Sequence, residues 1–279
     1  MRALMLVALL ALAGCAPTMT GEDWRAWERQ TISNGNLRTD RDPVDAPYTN
    51  RDLLRHFDLI AFGVEPDIND GRTRLDRVER WEEPIRWWLF ANGAEQGAAR
   101  REVNETFARI ATATGLDIAE ASSADISNID IWFLGPDDYD PAKSWARQVL
   151  GAEEEDLIES FRTFGNIPCM GRILTRSVPG EGGPAGAHLY ALILIRTGFS
   201  DLFRLSCIEE ELVQATGLGN DDDSVRPSIF NDDEEFALLT RHDEWLLRLL
   251  YHPRLQAGMP YERAILVAQE ALEEMRPGQ

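Results

Sequence analysis

The chain has 279 residues, 44% of them hydrophobic, and a formal net charge of -20. This acidic excess argues against nucleic acids and anionic lipid surfaces as partners, because binding to either requires a basic face. The apolar content is sufficient for a substantial core, and the roughly 230 residues that remain after a leader and a linker fit one domain better than two.

The N-terminus is typical of an exported protein. Arg2 precedes an apolar run over residues 3–13, which is too short to cross a bilayer and predicts a signal peptide over residues 1–15. The run ends in Leu12-Ala13-Gly14-Cys15, which resembles the lipobox of bacterial lipoproteins. The resemblance implies a lipid on Cys15 that tethers the mature chain to a membrane. Ala16 follows the cysteine in place of an aspartate, which favours the outer membrane. The alternative is an ordinary signal peptide that contains a cysteine.

Residues 16–47 are polar and include several Gly, Asn and Pro residues, which predicts a flexible spacer with room for a short helix around Trp24. The folded domain is expected over residues 48–279. Asn50 is the candidate N-cap of its first helix, which carries Leu53, Leu54 and Phe57 and is followed by an apolar run at 59–62.

Apolar patterning predicts the remaining elements in chain order. Residues 84–90 have the aromatic content of a strand, and a helical spacing at 100–113 ends at Gly115. Two further strands are predicted at 129–134 and 189–195, the second buried on both faces. Helices are then expected at 205–215, 242–251 and 261–275. This order indicates an α+β fold with α/β character.

Cys169 and Cys207 are the two cysteines that remain if Cys15 carries the lipid. Because thiols oxidise outside the cytoplasm, we expect a disulfide between them. Closing a loop of this size stabilises a fold by roughly 4 kcal/mol on the chain-entropy model. The alternative is a pair of buried free thiols.

The segment that starts at Glu210 resembles the zinc-binding helix of the metzincin proteases, HExxHxxGxxH. In that pattern three histidines bind zinc, the glutamate activates a water molecule, and the glycine turns the chain toward the third ligand. Here Glu211 stands at the general-base position and Gly217 at the turn, whereas Glu210, Gln214 and Asn220 occupy the ligand positions. The resemblance implies a zincin-like twisted mixed sheet, with this segment on a long helix and further helices at the C-terminus.

Other segments support this resemblance. Phe230, within residues 228–231, stands where those proteases place a methionine beneath the metal, and residues 239–251 resemble their closing helix. The domain also resembles an uncharacterised family of bacterial lipoproteins, the domain of unknown function 2927, at residues 57–62, 207–220 and 249–253. That family implies a location and a fold, without an activity.

The ligand positions predict neither a zinc site nor another cofactor. Zinc prefers imidazole and thiolate, whereas Gln214 and Asn220 offer amide oxygens. One alternative is a harder ion such as calcium, held by oxygens of Glu210, Gln214, Asn220 and Asp221. A second alternative is that the zincin spacing is a coincidence and the glutamates simply favour the helix dipole. The four histidines, His56, His188, His242 and His252, show no ligand spacing.

Together these patterns favour an envelope lipoprotein with a non-catalytic binding or structural role. An extended peptide could bind beside the former catalytic helix by adding to the edge strand. One alternative is a hydrolase that uses Glu211 as a general base, with an oxygen-liganded metal or with none. Another is an assembly factor whose working surface includes Trp81, Trp87 and Trp88.

Overall fold

The computed structural model describes residues 19–64, 74–180, 183–231 and 233–276. Within these ranges, eight α-helices and five β-strands form a mixed α+β domain, as the sequence predicts. Cys15 and the rest of the predicted signal peptide lie outside the described residues, so the lipid anchor stays a prediction. No helix in the described ranges combines the length and apolar character needed to span a membrane.

The segment expected to be a flexible spacer differs from that expectation in its described part. Helix α1 (Gly21–Ser33) packs against the domain through Trp24, whose ring centroid lies 5.7 Å from that of Phe199 and 5.5 Å from that of Phe203. Leu37, further along, is also buried. The mostly polar composition of this segment predicts a flexible spacer, although Trp24 and Leu37 are buried. One buried tryptophan is enough to contribute a large contact area.

Helix α2 (Asn50–Phe62) begins where the sequence predicts, although its cap is a different residue. Thr49 is the N-cap and forms a capping box with Asp52, in which each side chain bonds to the other residue's backbone N–H. The apolar run at 59–62 is the last turn of this helix, and only Leu59 within it is half-buried.

The strands are β1 (Ile85–Phe90), β2 (Ile118–Glu120), β3 (Ile129–Leu134), β4 (Cys169–Thr175) and β5 (His188–Arg196). They form one sheet in the order β2-β1-β3-β5-β4. All neighbouring pairs are parallel except β4 and β5, which are antiparallel. The three predicted strands correspond to β1, β3 and β5. Strand β2 was missed because it has three residues, and β4 because Gly171 and Arg172 interrupt its apolar pattern.

The other helices are α3 (Gln96–Thr114), α4 (Tyr139–Val149), α5 (Ala152–Thr163), α6 (Asp201–Gln214), α7 (Arg241–Leu250) and α8 (Tyr261–Met275). Four of them correspond to predicted helices, whereas α4 and α5 were not predicted. Alternate residues of β3 and β5 contribute to two cores. Ile131 and Ile193 face the larger core with α2, α3 and α6, whereas Trp132 and Leu194 face a smaller core with α4 and α5.

Candidate functional site

A disulfide fixes helix α6 to the edge strand β4. The sulfur atoms of Cys169 and Cys207 are 2.16 Å apart and their Cα atoms 5.9 Å apart, which confirms the predicted bridge. Cys169 opens β4 and Cys207 lies in the middle of α6. The bridge therefore links the helix that carries Glu210, Glu211 and Gln214 to the strand beside it.

Glu211 lies between α6 and β4. Its side chain is buried, with 4% exposure, and a β-carbon at Gly171 would lie only 2.8 Å from the Glu211 Oε2 atom. Gly171 therefore leaves the space that the carboxylate occupies against the strand. The residue at the predicted general-base position is enclosed by the strand rather than open to solvent.

The chain turns sharply after α6 at Gly217, as predicted. Its φ angle is +110°, which L side chains rarely adopt. A β-carbon there would lie 2.6 Å from the backbone oxygen of Glu79 and 3.3 Å from Nε2 of the buried His188. Both the backbone angle and the close packing therefore require glycine.

The three positions that resemble the zincin ligand positions, Glu210, Gln214 and Asn220, do not share one set of contacts. Gln214 directs its amide nitrogen to the carboxylate of Asp221, with both N···O distances 3.4 Å. Asn220 instead donates to the backbone oxygens of Leu59, at 3.1 Å, and Asp221, at 2.9 Å. The chain thus returns toward α6 after the turn, but the Asn220 amide supports the C-terminal end of α2.

Glu210 is half-buried on α6, one turn before Gln214. Residues four apart on a helix share a face, so Glu210 and Gln214 lie on the same face of α6. Within the described ranges, no three His, Cys, Asp or Glu side chains are grouped in a way that could hold a metal ion.

Residues 228–231 form a buried turn attached to α7. The Phe230 N–H donates to the Ser228 hydroxyl at 3.1 Å, and this hydroxyl donates to Asp243 at 2.6 Å. Asp243 is fully buried and also forms a capping box with Thr240 at the start of α7. Phe230 is completely buried at the position that resembles the methionine turn.

A buried histidine pair was not predicted from the sequence. His56 Nδ1 lies 2.7 Å from His242 Nε2, whose ring also approaches Asp243 at 3.3 Å through Nδ1. The two histidines are 186 residues apart, so no local spacing could indicate the contact. Burial is the main cause that lowers the pKa of His56 to about 3, and the neighbouring positive charge of Arg55 adds to it.

The aromatic residues considered for an assembly surface are mostly inside the fold. Trp81 and Trp87 are each 1% exposed, and the Trp81 indole N–H donates to the Ala215 carbonyl at 2.7 Å. Trp88 is half-buried against the smaller core. These side chains hold the sheet to its helices and present little surface to a partner.

Residues 50–269 match the family described as "Protein of unknown function (DUF2927)". The chain belongs to this family. In this DUF2927 domain the matched span begins with α2 and ends within α8, so it includes the sheet and the disulfide, whereas α1 precedes it. None of the curated proteins matches the chain.

Proposed function

We propose that this DUF2927 protein is an envelope lipoprotein, held in the outer membrane by a lipid on Cys15 with its domain facing the periplasm. Its zincin-like domain lacks a working zinc site and binds an extended segment of another envelope protein. The lipobox at Cys15 supports the location, and the acidic net charge of -20 disfavours nucleic acid as the partner.

The arrangement of α6 supports the zincin-like part of the proposal. The predicted strands occur in the expected order, and the helix with the HExxHxxGxxH-type spacing follows β5. An antiparallel strand, β4, forms the sheet edge beside this helix. Gly217 then turns the chain back so that Asp221 meets Gln214, which is the type of return that a third ligand requires.

The hydrogen bonds of the Asn220 side chain are the main support for a non-catalytic role. Its amide donates to two backbone oxygens, one of them at the end of α2. A side chain that supports the backbone in this way serves the fold rather than a metal. The buried position of Glu211 against Gly171 agrees with this, because a general base must come within hydrogen-bond reach of a water molecule or a substrate.

Strand β4 supplies the proposed binding edge. It is the last strand in the sheet order, and its side chains are mostly half-buried. In the described part of the chain, no further strand pairs with its outer edge. A free edge presents backbone N–H and C=O groups to which an extended segment can add as a sixth strand.

Restoring the histidines tests the zincin-like geometry. The triple variant Glu210→His, Gln214→His and Asn220→His should bind one zinc ion in calorimetry. Any histidine pair four residues apart on a helix has some zinc affinity, so the matched control is Arg101→His with Glu105→His on α3, where both positions are exposed. We expect the triple variant to bind at least about tenfold more tightly than this pair.

A folded triple variant that binds zinc no better than the control pair would contradict the zincin-like geometry. Because Asn220→His removes two hydrogen bonds, the double variant Glu210→His and Gln214→His is measured as well, with Asp221 available as a third ligand. The unmodified protein, purified from the periplasm without chelators, should contain no stoichiometric zinc. Stoichiometric zinc there would favour the hydrolase that uses Glu211.

Photo-crosslinking tests the binding role. A photoreactive residue at Leu174 of β4, which is 37% exposed, should yield a discrete crosslinked product in intact cells, whereas the same residue at Leu266 of α8, which is 63% exposed, should not. Equal labelling from both positions would contradict a specific edge on β4.

A further inference from the structure

A cavity of about 560 Å³ lies where α3, α7 and the segment before α2 meet. Its wall is dominated by guanidinium groups around one indole ring: Arg41, Arg109, Arg241, Arg248 and Trp245. Its volume falls within the range typical of small-molecule sites. Such a basic cavity is unexpected in a chain with 48 acidic and 28 basic side chains.

A second cavity of about 510 Å³ shares part of this wall. Asp42, Arg241 and Trp245 line both cavities, and the second adds Arg276. The guanidinium carbons of Arg248 and Arg276 lie 4.9 and 5.2 Å from the Trp245 ring centroid. The two cavities therefore form one continuous surface, which we call the arginine cavity.

The arginine cavity carries more positive than negative charge. Its five arginines are accompanied by three carboxylates, from Asp42, Glu209 and Glu244. Glu209 is 2% exposed and accepts two hydrogen bonds from Arg41, at 2.8 and 2.9 Å. After each carboxylate is matched to one arginine, two positive charges remain.

Two guanidinium groups of the cavity, those of Arg241 and Arg248, keep donors for a ligand. Arg109 already donates through Nη2 to Glu244, at 2.8 Å, and to a backbone oxygen, and its Nε atom is buried. Arg248 reaches Glu244 only at 3.5 Å, and Arg241 reaches Asp42 at 3.3 Å with 59% of its side chain exposed.

We propose that the arginine cavity binds the phosphate group of a small phosphomonoester. A phosphomonoester carries nearly two negative charges at pH 7 and offers three acceptor oxygens, which match the charge excess and the spare donors. The planar guanidinium group of arginine can donate two parallel hydrogen bonds to a phosphate, which the ammonium group of lysine cannot. A single carboxylate would satisfy fewer of these groups.

This site is separate from the peptide-binding edge in the proposed function. Glu209, which contacts the cavity residue Arg41, and Glu211, which faces β4, are two residues apart on α6, so they point to different sides of the helix. Failure of phosphate binding would therefore leave the β4 proposal intact, and the reverse also holds.

Calorimetry on the full chain at constant ionic strength tests the assignment. The probes are inorganic phosphate, glycerol 3-phosphate, the diester glycerophosphoglycerol as a phospholipid headgroup, and succinate as a dicarboxylate. We expect glycerol 3-phosphate to bind at least tenfold more tightly than the diester or succinate. Equal or tighter binding of the diester would assign the cavity to a lipid headgroup and overturn the proposal, as would tighter binding of succinate or no binding of either phosphate probe.

Variants locate the binding. Arg248→Gln and Arg241→Gln, which remove weakly paired side chains, should each weaken glycerol 3-phosphate binding at least tenfold. The matched control is Arg254→Gln, which removes the same charge from a half-exposed arginine paired with Glu270 and Glu274 outside the cavity. This control should change the affinity less than twofold. An equal loss in the control would show a general charge effect and overturn the site.

Discussion

At the residue scale, the contacts of His56 with Arg55 and His242 fix the protonation of the His56 ring. Arg55 lies 2.7 Å from Nε2 of His56 and can only donate. His56 therefore accepts at Nε2 and carries its proton on Nδ1, which donates to Nε2 of His242. His242 in turn donates through Nδ1 to Asp243. His56 is therefore neutral in this network, and a further proton on its ring would break the network.

This network predicts a loss of stability in mild acid. The pKa of His56 is lowered to about 3, whereas an unfolded histidine titrates near 6.5. The unfolded chain therefore binds a proton as the pH falls below about 6.5 and the native chain does not, so the contribution is complete above that pH and declines toward pH 3. Between pH 7.5 and pH 5 the loss is about 2 kcal/mol for this histidine.

Urea unfolding at pH 7.5 and pH 5 measures this loss. His188 is buried too, and burial lowers its pKa to about 3, so the unmodified protein should lose stability through both side chains. The variant His56→Gln should lose about 2 kcal/mol less than the unmodified protein over the same interval. The same loss in both proteins would contradict a neutral His56.

Gly217 and Gly219 offer a second test at this scale. Gly217→Ala should destabilise the fold by about 1–3 kcal/mol from backbone strain alone, with a further cost from the approach to the Glu79 oxygen. Gly219→Ala, two residues away, has no atom within 4 Å of its added carbon and should be nearly neutral. Thermal unfolding of the two variants provides the comparison, and equal melting temperatures would contradict the structural role of this turn.

At the scale of elements, the bridge between Cys169 and Cys207 predicts a measurable stabilisation. It closes a loop with a sequence separation of 38 residues, so the double variant Cys169→Ala and Cys207→Ala should lose roughly 4 kcal/mol of unfolding free energy. Urea unfolding of the two proteins checks this value. A reducing agent should lower the stability of the unmodified protein and leave the double variant unchanged. A response to reductant in the double variant would point to another cause.

The sequence patterns predict some secondary-structure elements of this fold and not others. Strands β1, β3 and β5 were predicted because central parallel strands are apolar along most of their length. Strand β4 was missed because an edge strand needs fewer apolar residues. In addition, its Gly171 leaves space for the Glu211 carboxylate and so interrupts the apolar pattern. The short helix expected around Trp24 is present as α1, but its packing against the domain was not expected, because Trp24 stands among polar neighbours. Among the strands, position within the sheet rather than β propensity explains which ones the sequence predicts.

Only those features of the candidate site that depend on local sequence or on composition could be predicted. The turn at Gly217 and the disulfide could be predicted because each depends on one local or compositional rule. The direction of the Asn220 amide could not, since it depends on where α2 ends. The arginine cavity could not be predicted either, because Arg41, Arg109 and Arg248 lie far apart in the chain.

At the scale of the whole molecule, the anchor is the most direct prediction. Mass spectrometry of the mature protein should find an N-terminus at Cys15 with acyl chains attached, because the lipobox requires modification before cleavage. The variant Cys15→Ser should lose the acyl mass and remain uncleaved by the lipoprotein signal peptidase. Cleavage elsewhere, with no lipid on Cys15, would contradict the anchor.

The packing of α1 has a consequence for reach. If the lipid is on Cys15, about six residues connect the membrane surface to Gly21, and they span at most ~20 Å when fully extended. Trp24 packs α1 against the body of the domain. No long flexible linker therefore follows Gly21. The short linker would keep the domain close to the membrane surface. A partner would therefore have to approach the same membrane to bind it.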